Sequence, residues 1–176
     1  MHIMDILQNS IRAKATRVML DIKDDTQNNE LSFTITDNGI GMPSNILRQV
    51  TDPFFTTRTT RRVGLGLSLL KQNAERTGGS LSIESAEGIG TRLKARFIKD
   101  SIDRPSLGDI SSAVLLTVTA NPAIDFEYTH TTDGRRFKFH TTEVRKALGD
   151  IPINEPSVYG HLLEMINENL KEIGAN

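Results

Sequence analysis

The stretch that decides the fold is residues 31–42, Leu-Ser-Phe-Thr-Ile-Thr-Asp-Asn-Gly-Ile-Gly-Met. Its first half alternates apolar and polar residues, which predicts a strand with one buried face. The same alternation occurs upstream in residues 18–22, and the polar segment 24–29 between the two predicts a hairpin. We therefore expect a sheet to begin here, with the turn after Asp37 at the end of its second strand.

That turn carries the first candidate for binding chemistry. Gly39 and Gly41 permit a backbone turn that few other residues could follow, and they let a flat base approach the backbone. A fixed carboxylate beside them can accept a hydrogen bond from an exocyclic amine such as the one on adenine. The alternative is an ordinary turn, because Asp-Asn-Gly is good turn chemistry. The candidate motif runs from Asp37 to Met42.

Upstream, residues 3–15 predict a helix with one apolar face. Asp5 and Asn9 stand one turn apart on the opposite face. An asparagine amide oxygen is a hard, neutral ligand suited to magnesium beside phosphate oxygens. A carboxylate one turn away could orient a water or accept its proton. Taken alone, these residues are more simply explained as the solvated face of an amphipathic helix.

Downstream, residues 52–58 read Asp-Pro-Phe-Phe-Thr-Thr-Arg and lack any periodicity, which predicts a loop. The two phenylalanines could anchor it so that Thr56, Thr57 and Arg58 face phosphate. The alternative is a hydrophobic plug followed by a solvated basic tail.

The segment Gly64-Leu65-Gly66-Leu67 opens a predicted helix that ends near Thr77. Backbone N–H groups without an intrahelical partner, together with the local dipole, favour binding of an anion at the start of a helix. The pattern is not a Walker motif, because no Gly-Lys-Ser/Thr follows. A last glycine turn, Gly88-Ile89-Gly90-Thr91, joins two alternating segments and is equally well explained as a plain turn.

The order helix, hairpin, helix, helix, hairpin predicts an α+β fold, a two-layer α/β sandwich whose mixed sheet carries helices on one face. Residues 100–105 mark a boundary, so we expect one unit over residues 1–100 and a smaller C-terminal α+β segment over 101–176. In that segment the turn Asp133-Gly134 predicts a hairpin, and the residues after Pro156 predict an amphipathic helix.

The predicted C-terminal hairpin pairs His130 with Phe137 and Tyr128 with Phe139, which leaves an apolar stripe on one side. The segment over residues 107–120 is ambiguous and favours a helix. We expect this C-terminal segment to serve docking or dimerisation.

Composition narrows the class of protein. The 176 residues include no cysteine, which excludes disulfides and thiolate metal sites. No apolar run approaches a membrane span and no signal-peptide pattern is present, so we expect a cytoplasmic protein without a membrane partner. The formal net charge of −1 gives no general attraction to nucleic acid, despite a basic cluster at Arg58, Arg61 and Arg62.

Together, these motifs resemble the ATP-binding domain of the GHKL, or Bergerat-fold, superfamily, which DNA gyrase, large heat-shock chaperones, sensor histidine kinases and MutL-type mismatch-repair proteins share. The resemblance covers about residues 3–98. The first helix resembles the N box, and the glycine turns at Asp37, Gly64 and Gly88 resemble the three glycine boxes. Residues 52–58 resemble the Pro-Phe-Phe-Thr-Thr element of nitrogen-sensor-type histidine kinases.

The resemblance implies ATP and Mg²⁺ as cofactors. It implies that Asn9 coordinates the magnesium and that Asp37 receives the adenine amino group. Asp5 falls where hydrolysing members carry a glutamate base and histidine kinases usually an asparagine, which makes it the candidate catalytic residue. The other implied cofactor-binding residues, in the adenine pocket, the lid and the phosphate loop, are Gly39, Gly41, Met42, Thr56, Thr57, Arg58, Gly64, Leu65, Gly66, Leu67 and Thr91.

Three departures from the family pattern shape the expectations. The N box begins almost at Met1, which predicts an open sheet edge that a partner or the C-terminal segment would fill. Arg62 stands where many kinases have a glycine and should stiffen the lid. None of His2, His130, His140 and His161 has the context of a phosphoacceptor box, so a complete sensor kinase is not expected. His130 is assigned to the hairpin and His161 to a helix surface.

The leading functional hypothesis is an ATP-binding regulatory protein that acts as a nucleotide switch, a slow ATPase or a kinase towards a separate protein partner, with homodimerisation also considered. Two alternatives are an anti-sigma-type protein serine kinase and a MutL-like DNA-associated ATPase, the latter disfavoured by the charge balance. A fold retained without nucleotide is the remaining alternative.

Overall fold

One mixed sheet of six strands forms the framework of the chain. The computed structural model describes residues 3–52 and 65–175, and for Leu65 the backbone alone. The elements in chain order are α1 Ile3–Arg12, β1 Arg17–Asp25, β2 Glu30–Asp37, α2 Ser44–Leu47, α3 Leu65–Arg76, β3 Ser80–Ala86, β4 Gly90–Ile98, α4 Ile110–Ala120, β5 Asp125–Thr132, β6 Arg135–His140, α5 Thr141–Leu148 and α6 Pro156–Glu172.

The sheet buries one face and exposes the other. Its strand order is β3-β4-β2-β1-β5-β6, and all neighbours are antiparallel except β1 and β5. Alternate residues of β1, β2, β4, β5 and β6 are buried against α1, α3, α4 and α6, and most of the intervening residues are polar and more exposed. This arrangement confirms the predicted α+β sandwich with a mixed sheet and helices on one face.

The sequence predicted a sheet edge that a partner or the C-terminal segment would fill, and at β1 the C-terminal segment of the same chain fills it. Strand β5 lies parallel to β1, in register from Arg17 opposite Asp125 to Asp24 opposite Thr132. Helix α4, apolar around most of its circumference, packs between α1 and α6. Residues 1–100 and residues 101–176 share one sheet and one core. Their division into two units therefore rests on the sequence alone and stays a proposal.

The β5–β6 hairpin has the predicted register, with His130 opposite Phe137 and Tyr128 opposite Phe139. Asp133 and Gly134 have φ values of 47° and 84°, which is the conformation of a type I′ turn. His130 is buried in this hairpin and His161 is exposed on α6, as expected.

Helix boundaries differ modestly from the predictions. Helix α1 ends at Arg12 rather than near residue 15, because Lys14 takes a left-handed φ of 58°. The first of the two helices predicted between the hairpins is short, and it spans Ser44–Leu47. Helix α4 occupies the ambiguous segment, and Asp109 caps it by accepting a hydrogen bond from Ser112 N at 2.9 Å. Helix α5 was not predicted. No helix in the described residues has both the length and the apolar character needed to cross a bilayer.

Candidate nucleotide-binding site

A cleft of ≈ 560 Å³ opens between α1, the end of β2 and the start of α3. It brings together residues that are far apart in the sequence. The predicted site residues that line it are Asp5, Asn9, Asp37, Gly41, Met42, Gly66, Leu67 and Thr91. Thr56, Thr57, Arg58 and Gly64 lie outside the described residues, as does the side chain of Leu65.

The Asp37 carboxylate is held in place from two sides. Ser10 Oγ, buried in α1, donates a hydrogen bond of 2.7 Å to Asp37 Oδ2. The Gly39 backbone N–H donates to Asp37 Oδ1 at 2.9 Å. Each carboxylate oxygen keeps further acceptor capacity, because an ionised carboxylate has about four lone-pair sites. The carboxylate is therefore a preorganised acceptor at the floor of the cleft, suited to an N–H donor of a ligand.

Gly39, which the family resemblance placed in the adenine pocket, does not line the cleft. It lies beneath, where a Cβ would come within 2.7 Å of both the Cβ and the carbonyl oxygen of Ala13. Its contribution is the N–H that holds Asp37. Gly41 has a φ of 67°, and a Cβ there would lie 1.9 Å from the Ala86 carbonyl oxygen, so this position requires glycine.

A hydroxyl network joins the first glycine turn to the third. The Met42 N–H donates to Ser85 Oγ at 2.9 Å, and Ser85 Oγ donates to the Gly90 carbonyl oxygen at 2.9 Å. Thr91 Oγ1 lies 2.9 Å from Ser85 Oγ. Because the single Ser85 hydroxyl proton points to Gly90, Thr91 acts as the donor in that contact. The network fixes the Thr91 side chain beside Asp37, its register partner across β2 and β4.

The walls between these polar groups are apolar. Besides Leu67 of α3, the aliphatic side chains that line the cleft come from α1, β2, β3, β4 and the segment after Asp37, and they are Ile6, Ile35, Ile40, Ile46, Val50, Ile83 and Leu93. A cleft with apolar walls and one fixed acceptor suits a flat heterocycle that carries an amine. None of these seven residues was predicted as a site residue, because an aliphatic residue beside a cavity has the same sequence pattern as one within the core.

The outer end of the cleft is polar. Asn9 and Arg12 are exposed there, and Arg12 Nη1 lies 3.5 Å from Asn9 Oδ1. Arg12 was assigned no role from the sequence, and its spacing of three residues from Asn9 was the available signal. Gly66, at the start of α3, faces Asp5, since a Cβ built on it would lie 4.0 Å from Asp5 Cβ. The N-terminus of α3 therefore borders the same end as Asn9.

The donor set at this end suits magnesium bound together with phosphates. Among the described residues, no group of three or more His, Asp or Glu side chains is arranged to hold a metal ion by itself. Magnesium usually keeps several waters and takes one or two protein oxygens beside phosphate oxygens. Asn9 Oδ1 is such an oxygen, and the cation Arg12 beside it would oppose a bare metal ion while attracting a phosphate-bound one.

The sequence of the first hundred residues settles the family. A family profile described as histidine kinase-, DNA gyrase B- and HSP90-like ATPase matches residues 2–101. The chain belongs to this family. The match includes α1, both glycine turns at the sheet end and α3, which are the elements that build the cleft.

Curated relatives of this ATPase domain are bacterial sensor proteins. A putative sensor protein of Shewanella frigidimarina is 35% identical over 97 residues, which is 54% of this chain and 15% of that protein. An uncharacterized sensor-like histidine kinase of Rhizobium meliloti is 35% identical over 104 residues, which is 56% of this chain and 20% of that protein. The matched region thus spans a fifth or less of these longer relatives.

A solved structure described as the N-terminal domain of a DNA repair protein shares the fold of this ATPase domain. The TM-score is 0.57 at 14% sequence identity, and the likeness covers 99% of this chain and 56% of that chain. The shared fold therefore extends through the C-terminal segment, including β5 and β6. At this identity the likeness concerns the fold alone.

Proposed function

We propose that this histidine kinase-like ATPase domain binds ATP with Mg²⁺ and acts as a nucleotide switch, or as a slow ATPase or kinase, towards a protein partner in the cytoplasm. The observation that carries the proposal is the Asp37 carboxylate, held by Ser10 and Gly39 at the floor of an apolar cleft whose other end carries Asn9 and the start of α3.

In this proposal the base enters the apolar part of the cleft. Asp37 accepts the hydrogen bond of the adenine amino group, and Thr91 and the bare backbone at Gly41 line the ring. Guanine carries a carbonyl oxygen at the corresponding ring position, and that oxygen would face a carboxylate oxygen with no proton between them. The cleft should therefore discriminate in favour of adenine.

The phosphates extend towards Asn9 and the start of α3 in this proposal. Magnesium, when bound, would neutralise phosphate charge and polarise the γ-phosphorus. Asn9 Oδ1 would hold it, Arg12 would approach a phosphate oxygen, and backbone N–H groups near Gly66 would bind another. Thr56, Thr57, Arg58, Gly64, Leu65 and Leu67 remain proposed as the lid and the rest of the phosphate loop.

Hydrolysis would depend on Asp5. A water positioned by its carboxylate would attack the γ-phosphorus while a proton passes to Asp5, and the bond to the bridging oxygen would break to release ADP and phosphate. An aspartate is shorter than the glutamate of hydrolysing relatives, which accounts for the slow turnover proposed here. Transfer to a partner's hydroxyl or imidazole would replace the water with that nucleophile.

Thermal unfolding with nucleotide tests the binding proposal. A ligand of the folded state raises the melting temperature by mass action, so ATP with Mg²⁺ should stabilise the chain more than GTP or Mg²⁺ alone. Asp37→Asn should abolish the shift, and Asn9→Ala should abolish its dependence on Mg²⁺. Asp150→Asn and Asn154→Ala are matched controls, because both residues are exposed and lie away from the cleft. No shift at millimolar ATP would refute the proposal.

Phosphate release separates the switch from the enzyme. If the chain hydrolyses ATP, Asp5→Asn should lower the rate while the ATP-induced thermal shift persists. If wild-type protein binds ATP and yields neither free phosphate nor labelled partner, the enzyme is excluded and the nucleotide switch remains. Labelled γ-phosphate on a serine of a co-purified protein would instead favour the anti-sigma-type kinase.

The DNA-associated ATPase is a second candidate, and the solved structure that shares the fold over 99% of this chain is described as part of a DNA repair protein. The net charge of −1 weighs against it. Duplex DNA that raises the rate of phosphate release, in a manner that declines with salt, would support this candidate over a protein partner.

A further inference from the structure

Strand β6 is the last strand of the sheet. The strand order ends with β6, which pairs on one side with β5. Within the described residues, its backbone makes no hydrogen bond to another strand, turn or loop on the outer side. An edge of this kind is a template for an additional strand.

Turn geometry decides which backbone groups point outward. In a two-residue type I′ hairpin, the residues that flank the turn, Thr132 and Arg135, form a hydrogen-bonded pair. Hydrogen-bonded and non-hydrogen-bonded pairs then alternate along the ladder. Phe137 and Phe139 therefore bond to β5, whereas Arg136 and Lys138 direct both N–H and C=O to the free edge. His140 directs its N–H the same way, and its carbonyl belongs to the start of α5.

The free edge is positively charged. Arg136 and Lys138 are exposed and lie on the uncovered face of the sheet, because Phe137 and Phe139 between them are buried on the other face. Neither side chain forms an ion pair within the described residues. His140 is the next residue of β6 on this face, and its Nε2 lies 3.8 Å from Oε2 of Glu127 in β5. Cations on an edge strand discourage pairing with a like-charged strand, and they favour an acidic one by the same interaction.

We propose that the β6 edge binds an extended acidic segment of a protein partner as a seventh strand. Its carboxylates, at alternate positions, would lie beside Arg136 and Lys138 on the uncovered face of the sheet. Its intervening apolar residues would continue the face that carries Phe137 and Phe139. The outward N–H and C=O groups supply the main-chain hydrogen bonds, and the two cations select the charge of the segment.

A second copy of this chain is disfavoured as the occupant. Antiparallel pairing of two β6 strands about Lys138 would place the two Lys138 side chains directly opposite each other, and like charges directly opposite across strands are destabilising. The edge at the other end of the sheet, β3, carries Glu84 and serines on the uncovered face and has no comparable positive row.

The test uses a blocked peptide of alternating glutamate and valine, with a lysine–valine peptide of the same length as control. Binding by the full chain is followed by calorimetry, and amide exchange is followed residue by residue. The acidic peptide should bind and slow the exchange of the Arg136, Lys138 and His140 amides. The Phe137 and Phe139 amides, already bonded to β5, should not change. The lysine–valine peptide should not bind.

Variants separate the charge from the backbone. Lys138→Gln should weaken binding about tenfold, and raising salt from about 0.05 M to about 0.5 M should do the same. Lys94→Gln is the matched control, because Lys94 is exposed on the same uncovered face in β4, away from the edge. Lys138→Pro also removes an outward N–H and should abolish binding; a proline is tolerated on an edge strand where its N–H faces solvent.

An N-methylated peptide provides the same backbone test without altering the protein. It carries methyl groups on the amides that would face β6, keeps every charge, and should not bind. The proposal is overturned if the acidic peptide binds without protecting the outward amides, if Lys94→Gln weakens binding as much as Lys138→Gln, or if the peptide does not bind. Self-association through β6 that Lys138→Pro abolishes would also overturn it, in favour of a second copy.

Discussion

Ser10 Oγ donates a 2.7 Å hydrogen bond to Asp37 Oδ2, which connects α1 to the end of β2 across 27 positions of sequence. The bond is part-buried and joins the helix that carries Asn9 to the carboxylate proposed to hold the base. The base end and the phosphate end of the cleft are thereby held to one geometry. Any rotation of α1 would move Asn9 and disturb Asp37 together.

Replacing Ser10 with alanine should therefore weaken ATP binding. Asp37 would lose one of its two fixed donors, and a hydrogen bond of this kind contributes about 1 kcal/mol, which corresponds to about a fivefold weaker Kd. Calorimetric titration with Mg–ATP gives the measurement. Ser111→Ala is the control, because Ser111 is equally buried and donates at 2.7 Å to Asn167 far from the cleft. Equal ATP affinities in the two variants would contradict this prediction.

Much of the fold could be predicted from the sequence because one side of the sheet is buried. A two-residue alternation with one buried face fixes which residues point inward, and a two-residue turn fixes the register. Hence the pairing of His130 with Phe137 was predicted correctly. The position of β5 beside β1 was only one of two alternatives, since alternation says which face a strand buries and nothing about its neighbour.

The remaining errors have local causes. Helix α5 has eight residues and its cap is His140, whose Nδ1 accepts from Thr142 N at 3.2 Å. Histidine is not among the residues that mark a helix start, so no boundary signal was present. Ser10 was missed because its partner Asp37 is remote in sequence. Arg12 was visible as a polar helix residue, but only the folded cleft shows that it stands beside Asn9.

Gly41 should tolerate a side chain far less well than Gly88. Both have left-handed φ values, 67° and 75°, so alanine at either position introduces similar backbone strain of about 1 kcal/mol. At Gly41 the added Cβ would also lie 1.9 Å from the Ala86 carbonyl oxygen, whereas at Gly88 it meets nothing within 4 Å. Urea unfolding should show a loss of about 1 kcal/mol for Gly88→Ala and at least about 3 kcal/mol for Gly41→Ala. Similar losses of unfolding free energy in the two variants would show that the turn at Gly41 relaxes to accommodate the added Cβ.

Acid should destabilise the chain through His130. Burial lowers the pKa of His130 to about 4, against the smaller opposing effects of Asp24 and Asp21. The unfolded chain, with a histidine pKa of about 6.5, binds more protons between these values, so stability falls as pH falls. From about pH 7.5 to about pH 5 the loss should be about 2 kcal/mol.

The His130→Gln variant should remove this pH dependence in urea unfolding while keeping a polar partner for the Tyr128 hydroxyl, which lies 2.8 Å from His130 Nδ1. The exposed His161→Gln serves as control. Asp25, Asp109 and Asp133 have pKa values below the ordinary value of 3.8. Because these carboxyl groups take up protons only below that pH, they do not contribute to the change in stability between about pH 7.5 and about pH 5. A wild-type protein equally stable at both pH values would rule out a neutral, buried His130.

Expressing residues 1–100 separately from residues 101–176 tests whether the part of the chain that carries the ATPase motifs can fold without the C-terminal strands. The shorter fragment would expose the β1 edge along the eight positions now paired with β5, and would uncover core contacts made by Val114, Leu115, Phe126 and Tyr128. Each such side chain contributes about 2 kcal/mol on burial, so their loss, on the order of 8 kcal/mol, rivals the whole stability of a typical domain. We expect fragment 1–100 to self-associate in light scattering, and co-expression with fragment 101–176 to restore a monodisperse complex of both fragments with one nucleotide site.

A monomeric fragment 1–100 that unfolds cooperatively and binds Mg–ATP as tightly as the full chain would contradict this expectation. It would then establish residues 1–100 as an independent domain, with β5 as a cover that the nucleotide site does not require.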